Sequence, residues 1–166
     1  MNSDKLKSLQ TPIKEKYRNQ PETAIFTLKA EGKIGEGISC NLETGKSLIN
    51  AGLHPATGGD GLAICSGDLL LQALVACSGV TMSAVANALD IEIYSGKIIA
   101  EGEIDFRGTL GVSKEVPVGF QKINLTFYLE TDAPPDKLES LKKLTERYCV
   151  VYQTLINGVK TEVNFK

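Results

Sequence analysis

The stretch SGDLLLQALVACSGVTMSAVANALD, residues 66–90, decides how the rest of the chain must be arranged. From Leu69 to Leu89 it holds no Asp, Glu, Lys or Arg in 21 positions. That length could span a bilayer, but the flanking residues are Asp68 and Asp90 rather than basic or aromatic side chains. A helix that is apolar all round must be covered on every side. We therefore predict a buried central helix and no membrane partner.

The cover for this helix is expected to come from a second copy of the chain. A chain of 166 residues is short for surrounding so long a helix alone, which predicts a homodimer. Ser66 is the expected N-cap, since a serine oxygen can accept a hydrogen bond from the first turn. Asp68 is expected in that first turn, where a negative charge is favoured by the helix dipole.

The composition is that of one globular domain and excludes several classes of protein. Apolar residues are 42% and charged residues 23%, with a formal net charge of −2. A nucleic-acid-binding protein is expected to carry a basic excess, and the chain has no Trp for stacking on bases. Four cysteines without a CxxC pair, and one histidine, argue against a zinc site.

The first residues, MNSDKLKSLQ, lack the apolar core of a signal peptide, so we expect a cytoplasmic protein. We also expect no bound cofactor.

The patterns on either side of the central helix predict an α+β fold with helices packed on an antiparallel or mixed sheet. Residues 1–20 are expected to form a charged helical extension, and residues 21–166 a single domain. Strands are predicted at 24–31, 34–40, 45–50, 97–105, 121–130 and 159–165. The alternation of apolar and polar residues is cleanest in the last three of these ranges. A second amphipathic helix is predicted after Pro134-Pro135, with an apolar stripe of Leu138, Leu141, Leu144, Tyr148, Val151 and Leu155.

Two of the four cysteines fall on the two principal helices. Cys77 lies in the middle of the central helix, with Thr81 one turn further on the same face. It is either a small buried apolar residue or a thiol with room for a ligand. Cys149 lies late on the second helix, and for it the sequence favours neither of these two interpretations. Together they form a possible redox pair, because a thiolate that attacks an O–O bond becomes a sulfenic acid, with which a second thiol condenses.

The remaining cysteines and the histidine carry weaker signals. Cys65 precedes the central helix, at a position where backbone N–H groups favour a thiolate. It could equally be a loop residue packed under the helix. Cys40 is expected on a strand in the core. The glycine-rich loop at 51–67 is long enough to be a functional candidate, and His54 within it is expected to anchor the loop rather than act as a base.

The order and spacing of several motifs resemble those of the osmotically induced protein C / organic hydroperoxide resistance family (OsmC/Ohr). The motifs are SGDLLLQALVACSGVTM and ERYCVVYQTL, with EKYRNQPETA, GGDG, DFRGTLGV, PVGFQKI and ESLKKLTERYC around them. The resemblance implies an OsmC-like fold and an intertwined homodimer, with a long central helix from each chain and a sheet on each side. It also implies reduction of organic hydroperoxides, with Cys77 as the peroxidatic cysteine, Cys149 as the resolving cysteine and an external dithiol as the reductant.

The chain departs from the family pattern around the thiol and is expected to form an outlying branch. Members of the family hold the thiolate with an arginine and hold that arginine with a glutamate. Gly67 stands where the glutamate is expected, and Lys33 is the only cation of the first hairpin turn, where an arginine is usual. Asp68 is the nearest acid. Val150 follows the second cysteine, where many members have proline.

These departures leave the activating cation open among Arg18, Arg107 and Arg147. We favour Arg107, because it lies in a glycine-bounded turn, FRGTLG, that can move. The candidate site is therefore Cys77 and Cys149, with possible support from Arg107, Asp68, Thr81 and Cys65. The alternative function is a non-catalytic dimer with the same fold that binds a small apolar or lipid-like ligand.

Overall fold

The computed structural model describes residues 48–166 without a gap, the backbone of residues 32–34 and 39–43, and seven single positions before them. The chain divides into two compact units, Met1–Ala51 and Gly52–Lys166. Six of the seven single positions are helical: Asp4, Ser8, Thr11, Pro12, Glu15 and Asn19. The expected division at residue 20 stays a prediction, and the predicted strand at 24–31 lies outside the described residues.

Among the described residues up to Gly52, three strands lie in one sheet in the order β1, β2, β3. They are β1 (Gly32–Ile34), β2 (Ser39–Glu43) and β3 (Leu48–Gly52). The predicted single strand at 34–40 is wrong. Ile34 lies opposite Cys40 in an antiparallel pair, so the chain reverses between them. Cys40 is on a strand, as expected, and the strand predicted at 45–50 lies slightly later, in β3.

The second unit holds the central helix, a β-hairpin and three further helices, the first of which is a single short turn. After a 3₁₀ turn at Pro55–Thr57 come β4 (Ile64–Cys65), α1 (Ser66–Ala88), β5 (Ser95–Ile104), α2 (Phe106–Thr109), β6 (Phe120–Glu130), α3 (Pro135–Tyr148) and α4 (Val150–Asn157). The strands β5 and β6 pair antiparallel, from Ser95 opposite Glu130 to Ile104 opposite Phe120. The α+β class is confirmed, as are the strands predicted from the alternation at 97–105 and 121–130.

The central helix α1 has the predicted length but a different N-cap. Cys65 is the N-cap, in extended conformation and without a side-chain capping bond, and Ser66 is the first helical residue. The prediction of a Ser66 cap is therefore wrong, because a cap residue must lie outside the helical backbone conformation. Asp68 does lie in the first turn. By length and composition α1 could cross a membrane. An 18-residue stretch of it has a mean hydropathy of 1.8, and 28% of that stretch is buried.

One face of α1 builds the core of the second unit. The buried cluster consists of Met82, Val85, Ala86, Ile91 and Leu141, so α1 and α3 share it. Ile98, Phe127 and Leu129 of the hairpin pack against this cluster. On the opposite side of α1, in the middle of the uncharged stretch, Val80 is 73% exposed. This exposure is what the expected second copy would have to cover.

The C-terminal end of α1 is closed by a lysine from α3. Asp90 adopts a left-handed conformation, with φ 51°, and the Ile91 N–H donates back to the Ala86 carbonyl at 2.9 Å. The Lys137 ammonium donates to the Leu89 carbonyl at 2.9 Å and reaches the Asp90 carbonyl at 3.4 Å. A cation at this end of a helix also interacts favourably with the helix dipole.

We expect Lys137→Met to lower the free energy of unfolding by about 1 kcal/mol, because it removes the donor to these helix-end carbonyls and the favourable charge. The control is Lys143→Met. Lys143 forms an exposed i,i+4 ion pair with Glu139 at 3.3 Å, and such pairs contribute only about 0.5 kcal/mol or less. Urea unfolding of both variants measures the difference. Equal losses in the two variants would contradict the capping role of Lys137.

The predicted second helix is two helices, because the chain breaks at Cys149. Cys149 has an extended backbone, with φ −73° and ψ 107°, and separates α3 from α4. The break is stabilised locally: Cys149 is only 1% exposed, and the Gln153 side chain donates to the Glu146 carbonyl at 2.9 Å. The predicted single stripe is therefore wrong at its C-terminal end, where Tyr148 and Leu155 are exposed.

The strand predicted at 159–165 is also wrong for the single chain. Residues 158–166 have no regular secondary structure and are exposed at every position. Alternation describes only the side chains of a strand, whereas a strand also needs a neighbouring backbone to pair with. In one chain this segment runs into solvent, and Phe165 is 96% exposed.

Candidate functional site

The break between α3 and α4 brings Cys149 against Cys77. Cys77 projects from the middle of α1 and is half-buried, whereas Cys149 is buried at the junction of the two later helices. The two thiols are joined by a hydrogen bond between their side chains. The Thr81 hydroxyl, one turn along α1, hydrogen-bonds the same Cys77 sulfur. The structure therefore brings together three of the residues singled out in the sequence.

Cys77 lies at the N-terminal end of α4, where backbone N–H groups point at its sulfur. Burial alone would raise the pKa of Cys77, but hydrogen bonds from the Val151 N–H, the Cys149 thiol, the Val150 N–H and the Thr81 hydroxyl outweigh it. The net result is a pKa below that of an ordinary cysteine. The first N–H groups of a helix have no partner within the helix and carry its positive end. They are therefore suited to hold a thiolate.

The pKa of Cys149 is shifted in the opposite direction. Burial raises the pKa of Cys149; the Tyr152 N–H lowers it, but the neighbouring Cys77 raises it further by hydrogen bonding and by charge, and the net shift is upward. The pair is thus unequal. Cys77 loses its proton first, and Cys149 remains a protonated thiol that donates a hydrogen bond to it. Such a pair consists of a nucleophile with a second thiol already in contact.

In the single chain Arg107 pairs with Asp105. The partner favoured from the sequence is Cys77. The Arg107 Nε donates to both carboxylate oxygens of Asp105 at 3.0 Å, and this hydrogen bond holds the pKa of Asp105 below its usual range. The Arg107 side chain is exposed at the surface. A role for Arg107 at Cys77 therefore stays a prediction that would require it to leave Asp105.

The other two candidates for activating Cys77, Arg147 and Arg18, also remain without an assigned role there. Arg147 lies over the ring of its neighbour Tyr148, at 5.8 Å from the ring centroid. On the same helix, Lys143 pairs with Glu139. Arg18 lies outside the described residues. Within the described part of the chain, backbone N–H groups hydrogen-bond the Cys77 sulfur in the place where the family resemblance implied an arginine.

The two remaining candidates, Cys65 and Asp68, lie far from Cys77 along α1. Twelve and nine residues of helix correspond to rises of about 18 and 13 Å. Cys65 is half-buried and packs at the start of α1, where a side chain at Gly67 would meet the Phe120 ring at 3.4 Å and the Cys65 sulfur at 3.6 Å.

His54 anchors the loop in which it lies. Its Nδ1 accepts the Ala56 N–H at 3.0 Å, its carbonyl accepts the Thr57 hydroxyl at 2.8 Å, and its ring stacks on Phe106 with centroids 5.0 Å apart. The imidazole is thus used as a cap for the 3₁₀ turn, in agreement with the expectation from the sequence. None of these contacts involves a thiol.

A large cleft borders the thiol pair on the Cys149 side. It has a volume of about 1150 Å³ and lies between α1, β6, α3 and α4. Its walls are mostly apolar, and Cys149 and Thr145 belong to them. Thr145 is 4% exposed, and its hydroxyl has no hydrogen-bond partner in the part of the chain that the structure describes.

Comparisons with known proteins identify the family. No curated protein matches the sequence, but the family model described as "OsmC-like protein" matches residues 58–164. The fold is similar to an OsmC-like protein from Mycoplasma pneumoniae, with a TM-score of 0.67, 16% identity and coverage of 80% of this chain and 89% of that one.

Two further solved structures have names that describe organic hydroperoxide resistance. One, from Elizabethkingia anophelis, has a TM-score of 0.64 and 12% identity, covering 82% of this chain and 92% of that one. The other, OhrB of Bacillus subtilis, has a TM-score of 0.53 and 22% identity, covering 81% and 93%. At these identities the structures show a common fold. With the family model matching most of its length, this chain belongs to the OsmC-like protein family.

Proposed function

We propose that the protein is a thiol-dependent peroxidase that reduces organic hydroperoxides through Cys77 and Cys149, as a soluble cytoplasmic homodimer. The observation that carries this proposal is the contact between the two thiols, in which Cys77 has a lowered and Cys149 a raised pKa. The names of two structures with the same fold describe organic hydroperoxide resistance, which supports the same chemistry.

The reaction follows from the unequal pair. The Cys77 thiolate attacks the terminal oxygen of ROOH, the O–O bond breaks, and the departing alkoxide takes up a proton to leave as ROH. Cys77 is then a sulfenic acid. The Cys149 thiol attacks that sulfur, an S–S bond forms and water leaves. An external dithiol reduces the disulfide and returns both thiols, so one hydroperoxide consumes two electrons from one dithiol.

The first turn of α4 supplies the positive potential that the thiolate needs. An apolar helix interior disfavours a thiolate unless a positive group lies beside it. No lysine or arginine occurs between Asp68 and Asp90. The Val151 and Val150 N–H groups provide this function in the chain, and Thr81 adds a hydroxyl donor. In this proposal an arginine is not required for ionisation of Cys77, and Arg107 is at most an additional contact after leaving Asp105.

Val150→Pro tests this role of the helix end. Proline fits the first position of a helix, and Cys149 before it is already extended, as a residue preceding proline should be. The variant therefore removes one N–H donor without changing the fold. We expect the midpoint of the pH dependence of Cys77 alkylation to move to higher pH.

The matched control is Val150→Ala, which shortens the same side chain but keeps the N–H. Its midpoint should remain at the wild-type value. Arg107→Ala should also leave the midpoint in place, since Arg107 pairs with Asp105. A midpoint that moves in Arg107→Ala and not in Val150→Pro would contradict activation by the helix end and restore the arginine.

Turnover separates the enzyme from the ligand-binding alternative. Reduced protein is mixed with an organic hydroperoxide and an excess of dithiol, and the remaining hydroperoxide is measured over time. A peroxidase consumes many equivalents, whereas a binding protein with the same fold consumes none. Hydrogen peroxide serves as the comparison substrate, because it has the same O–O bond without the organic substituent.

A further inference from the structure

The break between α3 and α4 changes the hydrogen-bond partner of a backbone N–H group. The Cys149 N–H still donates to the Thr145 carbonyl at 3.0 Å, as in the last turn of a helix. In a continuous helix the Val150 N–H would donate to the next carbonyl, that of Glu146, because each N–H pairs with the carbonyl four residues earlier. In the structure the Val150 N–H is bonded to the Cys77 sulfur. The N–H group that the thiol gains is therefore one that the helix ladder loses.

The Gln153 side chain takes the place that this N–H group leaves on the Glu146 carbonyl. Its Nε2 donates to that carbonyl at 2.9 Å, across seven positions of the chain. Its Oε1 accepts a side-chain N–H of Asn157 at 2.9 Å, so both ends of the amide are bonded and its orientation is defined. A partly buried carbonyl without a donor is costly. The Gln153 amide therefore favours the broken arrangement over a continuous helix.

Two arrangements thus compete for one carbonyl. Glu146 can pair with the Val150 N–H in a continuous helix or with the Gln153 amide across the break. Only the second leaves the first N–H groups of α4 directed at the Cys77 sulfur. Among the described residues, Cys149 is the titratable group that contacts this sulfur, and Cys149 is the residue at which the break occurs.

We propose that Gln153 is a positioning residue for Cys77, which keeps α3 and α4 separate by occupying the Glu146 carbonyl and so directs the first turn of α4 at the sulfur. It acts through the backbone and takes no part in the chemical step. The inference rests on the proposed role of Cys77 as the nucleophile, and it adds the side chain that maintains the surroundings of the thiol.

Gln153→Met tests this role, because methionine has a similar length and helix propensity but no N–H donor. The pH dependence of alkylation is followed by mass spectrometry of the Cys77 peptide. We expect its midpoint to rise by at least about 0.5 pH units, which slows alkylation below the midpoint about threefold. An unchanged midpoint in the folded variant would overturn the proposal.

The matched control is Gln121→Met, at the start of β6. The Gln121 Nε2 also donates to a backbone carbonyl, that of Pro117, at 3.0 Å. This variant loses an equivalent hydrogen bond outside the break, so its midpoint should stay at the wild-type value. Midpoints that move equally in the two variants would overturn the proposal.

The double variant Val150→Pro/Gln153→Met separates positioning from a general loss of stability. Proline at position 150 has no N–H for the Glu146 carbonyl, and its ring would clash with that carbonyl in a continuous helix, so it enforces the break without Gln153. We expect Gln153→Met to move the midpoint less than half as far in the Val150→Pro background as in the wild-type background. Equal shifts in both backgrounds would overturn the proposal. If Gln153→Met alone does not fold, the double variant should fold, and its failure to do so would assign Gln153 to general stability.

Alkylation needs no hydroperoxide, so the inference and the proposed function fail separately. A midpoint that moves as expected in a protein without turnover would refute the peroxidase and leave Gln153 as the residue that positions Cys77. Turnover of an organic hydroperoxide, with a midpoint that is unchanged in Gln153→Met, would refute the positioning role alone.

Discussion

Cys77→Ser will abolish hydroperoxide consumption, with a loss on the order of a thousandfold or more, because a serine hydroxyl cannot supply the thiolate that attacks the O–O bond. The measurement is the disappearance of an organic hydroperoxide in the presence of excess dithiol. Far-UV circular dichroism and the sedimentation profile should match those of the wild-type protein, since serine is similar in size to cysteine and Cys77 is a free thiol in the structure.

Cys149→Ser should have a different effect from Cys77→Ser. Without a reductant, this variant should consume one equivalent of hydroperoxide and stop at a Cys77 sulfenic acid, which a dimedone-type reagent traps. Cys65→Ser is the control, because Cys65 lies about 18 Å from Cys77 along α1. Full loss of activity in Cys65→Ser, with retention in Cys149→Ser, would mean that Cys65 is the resolving residue.

Val80→Lys will prevent the homodimer, because it places a charge at the centre of the uncharged helix surface that a second copy is expected to cover. A buried charge without a partner costs several kcal/mol, which corresponds to at least about a hundredfold in the dimer dissociation constant. Val118→Lys is a matched control. In the single chain, Val80 is 73% and Val118 72% exposed, but Val118 precedes β6 in a loop outside the uncharged helix.

Sedimentation equilibrium of the two variants tests the interface. We expect Val118→Lys to remain a dimer and Val80→Lys to be a monomer or to aggregate. Equal association in both variants would show that α1 is not covered by a second copy. A wild-type protein that is monomeric at micromolar concentration would contradict the dimer altogether.

The fold could be predicted where one segment carries enough information by itself. The 21 uncharged positions predict α1, and the alternation at 97–105 and 121–130 predicts the two strands that pair as β5 and β6. The segment 159–165 alternates equally well but has no pairing partner among the residues that the structure describes. Its failure as a prediction shows that side-chain periodicity contains no information about which backbone edge is available.

The candidate site could be predicted only in part, because one of its elements depends on tertiary packing. The two cysteines and Thr81 are visible in the motifs, and their contact follows once α3 packs on α1. The activating group is not visible, because the break at Cys149 has no glycine or proline to mark it and the apolar stripe continues across it. A helix end formed inside a helical pattern depends on tertiary packing, which here buries Cys149 and pairs Gln153 with the freed Glu146 carbonyl.

The stoichiometry of oxidation tests the proposed chemistry most directly. Reduced protein is mixed with one equivalent of an organic hydroperoxide per chain without a reductant, and free thiols, alcohol and cross-linked peptides are measured together. We expect the loss of two thiols per chain, the formation of one alcohol, and a Cys77–Cys149 disulfide in the peptide map. An unchanged thiol count with intact hydroperoxide would contradict a peroxidase and leave a ligand-binding protein of the same fold.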